Sequence, residues 1–485
     1  MNGQERASPE ELHRSALQAA REHAGRTLEE LWIRYFALGG DADLMDVDAH
    51  LSGLAPLPLL QRDILAHAVN ERLDELITQH RVPYSRALRQ SQPTTGPLAA
   101  LVTLLSAAGS APPERLPSLA AAAGQILGVG VVVHLIDPEQ RQLVRMPTSL
   151  APGGSRQGLE GTLAGRAFRT VQTHASERDG TLWVPVQDGA DRLGVLEVRP
   201  ATRADLYDPS LRQQCRWLAS LLGHLLVSME PYGDELERPR LSQARTPSAE
   251  LIWQQLPPLT AGTDTFVLAG MLEPSYEIGG DAFDYALSER MVSVAIFDAV
   301  GHGVRASLMA AAALAGYRSA RRDARSVYDQ SRAIDELISG CFPGSAFVTG
   351  VLAELDVRSG RLRYVNAGHP RPLLLRNGRV VKELAGGRRI PFGLETKELT
   401  VGEEFLQPGD WLALYTDGIT EARDASGAWF GEQRLVEFLT HEIAAGQPPP
   451  ETVRRLTQAV LTHQNGMLQD DASILLARWT GDRPS

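Results

Sequence analysis

A chain of 485 residues, 43% hydrophobic and 22% charged, has the composition of a globular protein of about three domains, each long enough to bury a core. Its net charge of −11 argues against a general nucleic-acid binder, and its two cysteines, Cys215 and Cys341, lie too far apart in sequence to suggest a disulfide framework or a zinc site, which fits a reducing cytosol. The N-terminus lacks a charged-then-apolar signal pattern. The longest apolar runs, near 126–133 and 308–315, fall well short of the roughly 18 residues of a membrane span, so a cytoplasmic chain without a membrane segment is expected.

From 10 to 87 apolar residues recur at helical spacing. Leu28, Leu31, Trp32, Tyr35, Phe36 and Leu38 form one set, Leu65, Val69, Leu73, Leu76 and Ile77 another, and Gly39-Gly40 breaks the two. The acidic group Asp41, Asp43, Asp46 and Asp48 lacks the glycine and terminal glutamate of an EF-hand loop and reads as a solvated loop and helix cap. This helical unit, 1–90, carries no nameable chemistry, and its task is read as interaction or dimerisation. A Ser, Gln, Pro and Thr-rich stretch at 91–97 leads to a second unit, 96–230. There helices are expected at 98–105 and 116–126, a strand at 129–136, a loop at 147–158, a helix at 162–171, strands at 181–185 and 192–199, and a closing helix at 208–229. That succession is an α+β layout around one sheet. His134, inside an apolar strand, is expected to be a hydrogen-bonded core histidine rather than a ligand, and Cys215 a buried thiol.

Residues 231–256 form a linker and a short helix, 249–256, expected to move against the segment that follows. Pro231, Pro239 and Pro247 would interrupt any continuous helical connection. In 257–480, strands are expected at 266–272, 292–297, 347–355, 362–365, 373–375 and 379–383, the last two around an Asn377-Gly378 hairpin turn, with helices at 306–317, 331–341, 433–443 and 452–463. Asp281 sits beside Gly279-Gly280, and Asp298 falls where an apolar strand meets a turn containing Gly301 and Gly303. Asp417 ends the apolar run from Trp411, and the pair Asp470-Asp471 opens another. Acidic stations at strand ends, with no His or Cys similarly placed, suggest oxygen ligands for hard divalent ions such as Mg2+ or Mn2+. Two such ions would polarise a phosphoryl group and lower the pKa of a bound water. An Asp-Gly at a strand end is also an ordinary turn, and spacing alone leaves both readings open.

Gly279-Gly-Asp281-x-x-Asp284, Asp298-x-x-Gly301-His302-Gly303, Tyr364-Val-Asn-Ala-Gly-His369-Pro370, Leu414-Tyr-Thr-Asp417-Gly-Ile-Thr-Glu-Ala422 and Asp470-Asp-Ala-Ser473 occur in this order within 248–480. Together they resemble the PPM-type metal-dependent serine/threonine phosphatases, most closely the bacterial SpoIIE-like and RsbU-like branch. The resemblance implies an α/β/β/α sandwich with Asp298 bridging two Mn2+ or Mg2+ ions. Asp281 and the backbone carbonyl of Ala299 would hold the second ion, and Asp417 and Asp470 the first. Asp298 and Asp281 would be the catalytic pair, with Asp284 and Asp471 as outer candidates. Ala299 stands where many relatives have glycine and no glutamate precedes Asp281, so the second ion is expected to be held weakly and mostly by water. His302 is offset by two positions from the general-acid histidine of the eukaryotic relatives, and His302 and His369 are expected to make structural hydrogen bonds. No phosphate-clamping arginine is identifiable.

Gly158-Leu-Glu-Gly-Thr-Leu-Ala-Gly165-Arg-Ala-Phe168 and Leu182-Trp-Val-Pro-Val186, with Leu193-Gly-Val-Leu-Glu-Val198, resemble a GAF domain, whose pocket can hold a cyclic nucleotide, a tetrapyrrole, haem or nothing. The expected whole is an α+β multidomain chain: a helical N-terminal domain, a GAF-like sensor with an unknown small ligand, and a sandwich phosphatase domain. Its implied substrate is a phosphorylated anti-sigma-factor antagonist of the STAS type, whose dephosphorylation would free a sigma factor by partner exchange. The hydrolysis would be a single displacement without a phosphoenzyme. A catalytically silent scaffold that only binds partners or a second messenger is the reading from another class, and the intact aspartates weigh against it. Hydrolysis of a small phosphoester is a third. The general acid, the sign of regulation and the oligomeric state, a homodimer among the options, stay open.

Overall fold

The computed structural model describes residues 9–75, 95–148 and 153–481, apart from positions 275, 278, 345, 395, 397, 467 and 469. The chain forms two compact units, 1–94 and 95–485. Among the described residues no helix is long and apolar enough to cross a membrane.

The first unit contains helices α1 (Pro9–Ala24), α2 (Leu28–Ala37), α3 (Leu44–Leu51) and α4 (Leu59–Glu75). Leu17, Leu31, Tyr35, Val47, Leu65 and Leu73 meet in its core. Thr27 and Glu30 close a capping box at the start of α2, and Asp43 caps α3 by accepting the N–H of Asp46 at 2.8 Å, so the acidic loop does serve as a helix start. Phe36, counted in the apolar set, is exposed. Leu76 and Ile77, and positions 91–94 of the expected linker, lie outside the described residues.

The second unit opens with α5 (Gly96–Ala108), α6 (Leu116–Ile126), β1 (Val129–Ile136), β2 (Gln142–Arg145), β3 (Arg156–Gly158), α7 (Leu163–Thr170), β4 (His174–Ser176), β5 (Thr181–Asp188), β6 (Asp191–Pro200) and α8 (Pro209–Met229). The strands form one antiparallel sheet in the order β3-β2-β1-β6-β5-β4. Leu104, Leu116, Val131, Val184, Leu196 and Leu222 share a core between this sheet and α5, α6 and α8. On the other side, Phe168 of α7 packs with Leu143 and Val195. β2, β3 and β4 were not expected, because three or four residues of mixed polarity show no alternation to read. His134 bonds Glu197 through Nε2 at 2.9 Å, and Cys215 is fully buried, which pushes its thiol up to about 11. α8 stops at Met229, two residues before Pro231, and two single 3-10 turns carry the chain onward. α9 (Pro247–Trp253) starts two residues earlier than expected and ends sooner, with Thr246 as its cap and proline in its first turn, where a missing N–H costs nothing.

A sandwich follows, built from β7 (Thr260–Thr263), β8 (Phe266–Glu273), β9 (Asp281–Leu287), β10 (Met291–Ala299), α10 (Val304–Arg322), α11 (Val327–Cys341), β11 (Val348–Asp356), β12 (Arg361–Ala367), β13 (Leu373–Arg376), β14 (Arg379–Glu383), β15 (Arg388–Arg389), β16 (Gly402–Phe405), β17 (Trp411–Tyr415), α12 (Asp417–Thr420), α13 (Gly431–Ala444), α14 (Pro449–His463) and β18 (Ala472–Trp479). One sheet runs β15-β12-β11-β10-β9 with β16 beside β12, and the other runs β14-β13-β17-β18-β8-β7. Val292, Val294 and Leu362 of the first sheet meet Phe266, Leu412 and Trp479 of the second in the central core, to which α10 and α11 add Leu314 and Ile334. α13 and α14 cover the second sheet with Leu435, Leu439, Leu456 and Val460. The layers are therefore helix, sheet, sheet, helix. Asn377 and Gly378 both take positive φ, +51° and +69°, as a tight hairpin turn requires. Two placements differ from expectation at the points that matter most: β10 extends through Asp298 to Ala299, and Asp281 opens β9, which was not among the expected strands.

Candidate metal centre

The antiparallel register of β9 and β10 sets Asp281 directly opposite Asp298. Cross-strand partners share a face of their sheet, and here that face looks towards the second sheet, whose Thr416 donates its hydroxyl to Asp281 Oδ2 at 2.7 Å. Alternation along β9 turns Asp284, three residues on, to the opposite face. There Arg318 and Arg321 of α10 hold its carboxylate at 2.8 and 2.9 Å. The outer role expected for Asp284 is thus corrected: it is on the wrong face and already neutralised.

The second sheet brings the other acids. Asp417 follows Thr416 at the end of β17, and Asp470 and Asp471 precede β18, its neighbour. Asp471 Oδ2 accepts the N–H groups of Gly279 and Gly280 at 2.6 and 2.7 Å, with a longer contact from Asp281 at 3.4 Å. This carboxylate straps the glycine loop of one sheet to the strand end of the other. A Cβ on Gly418 would lie 1.8 Å from the Asp471 carbonyl oxygen, and one on Gly280 2.3 Å from that of Ala299, so both close approaches require glycine. Asp281 is buried, Asp298 half-buried, and Asp417 and Asp470 are exposed.

The electrostatics show that the five aspartates share one rim. Burial, then the charges of Asp417, Asp470 and Asp471, push Asp298 up to about 7. Burial, then Asp298 and Asp471, raise Asp281 well above the carboxylate range, and burial followed by Glu421 and Asp470 raises Asp417. Asp471 is pushed up to about 6 by burial, against the pull of its three backbone donors. Such crowding of like charges calls for a cation. Among the described residues no three His, Cys, Asp or Glu side chains are drawn close enough to hold an ion as they stand. What they form is an open acidic rim of oxygen donors, the chemistry that suits Mg2+ or Mn2+. Ala299, whose carbonyl was the expected backbone ligand, is buried at the end of β10 against Gly280.

His369 is buried, with Nδ1 2.8 Å from Thr349 Oγ1. Burial lowers the pKa of its ring to about 3. Thr349 is also the register partner of Asp298, so His369 buttresses the ladder beside the rim through Thr349. His302, expected to make a structural bond, is instead exposed, and no hydrogen bond to its ring is present among the described residues. Thr349, Thr416 and Glu421 were not singled out in the sequence. Thr416 and Glu421 lie within the motif around Asp417, but nothing before the pairing of β10 with β11 could have indicated Thr349.

The sequence profile of the family Stage II sporulation protein E (SpoIIE) matches residues 288–480. Protein IcfG of Synechocystis sp. is 31% identical over 132 residues, 27% of this chain and 20% of that protein. The phosphoserine phosphatase RsbU of Bacillus subtilis is 23% identical over 219 residues, 42% of this chain and 61% of RsbU. The crystal structure of the RsbU and RsbW domains of a Mycobacterium tuberculosis protein aligns with a TM-score of 0.39 at 27% identity, covering 45% of this chain and 63% of that one. The chain thus spans less than two thirds of the length of each of these relatives. Its C-terminal part is similar to the SpoIIE family of PP2C-type phosphatase domains, with RsbU-like proteins among its relatives.

Proposed function

We propose that the chain is a divalent-metal-dependent phosphoserine/phosphothreonine protein phosphatase, in which the α5–α8 domain is a GAF-like sensor that governs the sandwich. One observation carries the reading: aspartates from both sheets meet on one rim, with Asp281 and Asp298 cross-strand partners and Asp471 strapping the sheets together. Asp298 and Asp281, with the Ala299 carbonyl, Asp417 and Asp470, would hold Mn2+ or Mg2+. When bound, such an ion supplies Lewis acidity that polarises a phosphoryl group and activates water. The chain's own part is to keep Asp281 fixed through Thr416 and Asp298 opposite it in the strand register, so that the donors are preorganised. The exposed side of the rim, at Asp417 and Asp470, is where a phosphorylated side chain of another protein can enter. The gathering of aspartates from both sheets on one rim weighs against a silent scaffold.

The proposed substrate is a phosphorylated STAS-type anti-sigma-factor antagonist, which RsbU-like relatives make the first choice, and the proposed setting is partner switching. Incubation of the chain with Mn2+ and a panel of phosphorylated STAS proteins from the same genome tests this. Phosphate release from one of them is expected, and its absence for all, with p-nitrophenyl phosphate also untouched, would remove the enzymatic reading.

A further inference from the structure

Between the α5–α8 domain and the sandwich lies a cavity of about 540 Å³, within the range that holds small organic ligands. Its walls come from the end of β1 and the turn after it, the start of β6, the end of α8 with the segment after it, and the stretch from Trp253 to Leu259. Asp191, Arg192, Arg240, Arg245 and Trp253 stand in this wall together with the further acids Asp137, Glu230, Asp234 and Glu237. The three arginines are already engaged: Arg192 with Glu451 at 3.5 Å, Arg240 with Glu230 at 2.9 Å and Arg245 with Glu237. Asp191 has no ion pair among the described residues. Burial pushes its carboxyl up to about 6, with Arg192 and Arg240 pulling the other way from a distance. The Arg245 guanidinium lies 5.0 Å from the Trp253 ring centroid, and its buried Nε finds no acceptor. Among the described residues the cavity therefore offers a carboxylate without an ion pair and apolar walls that include an indole, and its three arginines are all paired.

We infer that this junction is a binding site for a small organic cation, an amine or guanidine on an apolar body, and that its occupancy is transmitted to the acidic rim. The ammonium or guanidinium pairs with Asp191, while the body packs beside Trp253 and Leu256. The route outwards is short. Tyr285 of β9 donates its hydroxyl to the carbonyl of Pro258, on the cavity wall, at 2.8 Å. Arg318 ties Gln255 to Asp284 of the same strand, at 2.5 and 2.8 Å. Tyr285 stands four residues, about 13 Å along an extended strand, from Asp281. A ligand that fixes the stretch from Gln254 to Leu259 thus fixes the strand that carries Asp281. The binding claim is independent of the phosphatase reading, whereas the transmission rests on it.

The full chain is titrated calorimetrically with tyramine, agmatine and the uncharged analogue tyrosol. Saturable binding of tyramine or agmatine at millimolar concentration is expected, none by tyrosol, and about tenfold weaker binding in Asp191→Asn, the scale of one lost charge-assisted contact. Circular dichroism checks that this variant folds, and Trp253→Phe serves as a second variant that keeps an aromatic wall. No saturable heat from either amine, or undiminished affinity in folded Asp191→Asn, overturns the site. Hydrolysis of p-nitrophenyl phosphate is then followed with and without the bound amine. A rate change in the parent chain that disappears in Tyr285→Phe, while binding persists, supports the transmission, and an unchanged parent rate overturns it. A chain that binds amine but hydrolyses nothing fails the phosphatase reading alone.

Discussion

Asp281 and Asp298 face one another across the β9–β10 ladder, while Thr416, from the opposing sheet, holds Asp281 at 2.7 Å. Replacing Asp298 removes one of several mutually repelling carboxylates without opening the core. Asp298→Ala is expected to abolish Mn2+-dependent hydrolysis of a phosphorylated STAS protein and to leave the circular dichroism spectrum unchanged. Turnover at the parent rate would discard the site.

Metal should stabilise the fold as well as enable hydrolysis, because an ion bound only by the folded chain stabilises it by mass action. The gain is about 2.7 kcal/mol at a hundredfold excess over the dissociation constant. Added Mn2+ is expected to raise the unfolding midpoint of the parent chain in differential scanning fluorimetry and to leave that of Asp298→Ala nearly where it was. Equal shifts in both would place the ion elsewhere.

Glu451 of α14 is buried at the contact between the α5–α8 domain and the sandwich. It accepts from Arg454 at 2.7 and 2.9 Å and lies 3.5 Å from Arg192 of β6 and 3.8 Å from Arg169 of α7. Truncating the shared acid leaves Arg192 without an ion-pair partner, while Arg454 and Arg169 keep Glu160 at 2.7 and 3.4 Å; the loss for a buried pair broken on one side is about 3–5 kcal/mol. Glu451→Ala is expected to lower the urea midpoint by that order and to hasten proteolytic cleavage between the two domains. A midpoint within experimental error of the parent would show the network to be solvated.

Glu197 titrates below its ordinary value, chiefly because His134 bonds it and then because Arg199 lies alongside, although burial opposes both. A depressed carboxyl contributes stability that is present above its unfolded value, near 4.5, and lost as pH falls through the lower folded value. The parent chain should therefore lose stability below about pH 4.5 more steeply than Glu197→Gln, whose loss at neutral pH is about 1–3 kcal/mol for an unmade buried bond. Parallel acid-unfolding curves would count against the pair.

Gly280→Ala forces a methyl to within 2.3 Å of the Ala299 carbonyl oxygen, a backbone atom that cannot step aside. A cost of about 1–3 kcal/mol for overpacking is expected, along with loss of metal-dependent hydrolysis, measured by denaturation and by phosphate release. An active, equally stable variant would mean that the loop has slack.

The helices were legible chiefly by their apolar period, and some, such as α8 with Asp208, by a cap as well. α6 falls on its expected residues, and α8 and α14 begin within three residues of theirs. Asp281, Asp298, Asp417 and Asp470 were legible because each borders an apolar run or a glycine. Asp284 misled because sequence distance from Asp281 looks like proximity, whereas strand alternation sends it to the far face. Asp471 was undervalued for the converse reason: its partners, the N–H groups of Gly279 and Gly280, lie some 190 residues away, beyond any local pattern. Short edge strands such as β4 and β15 carry too few residues for a period to show.

The strap between Asp471 and the Gly279-Gly280 amides makes the rim a gauge of the gap between the two sheets. A slight parting of the layers would separate Asp281 and Asp298 from Asp417 and Asp470 long before the apolar interior is exposed to water. On the phosphatase reading, silencing such a chain would not require melting it: a lever that shifts one leaf of the sandwich against the other would part the two halves of the rim.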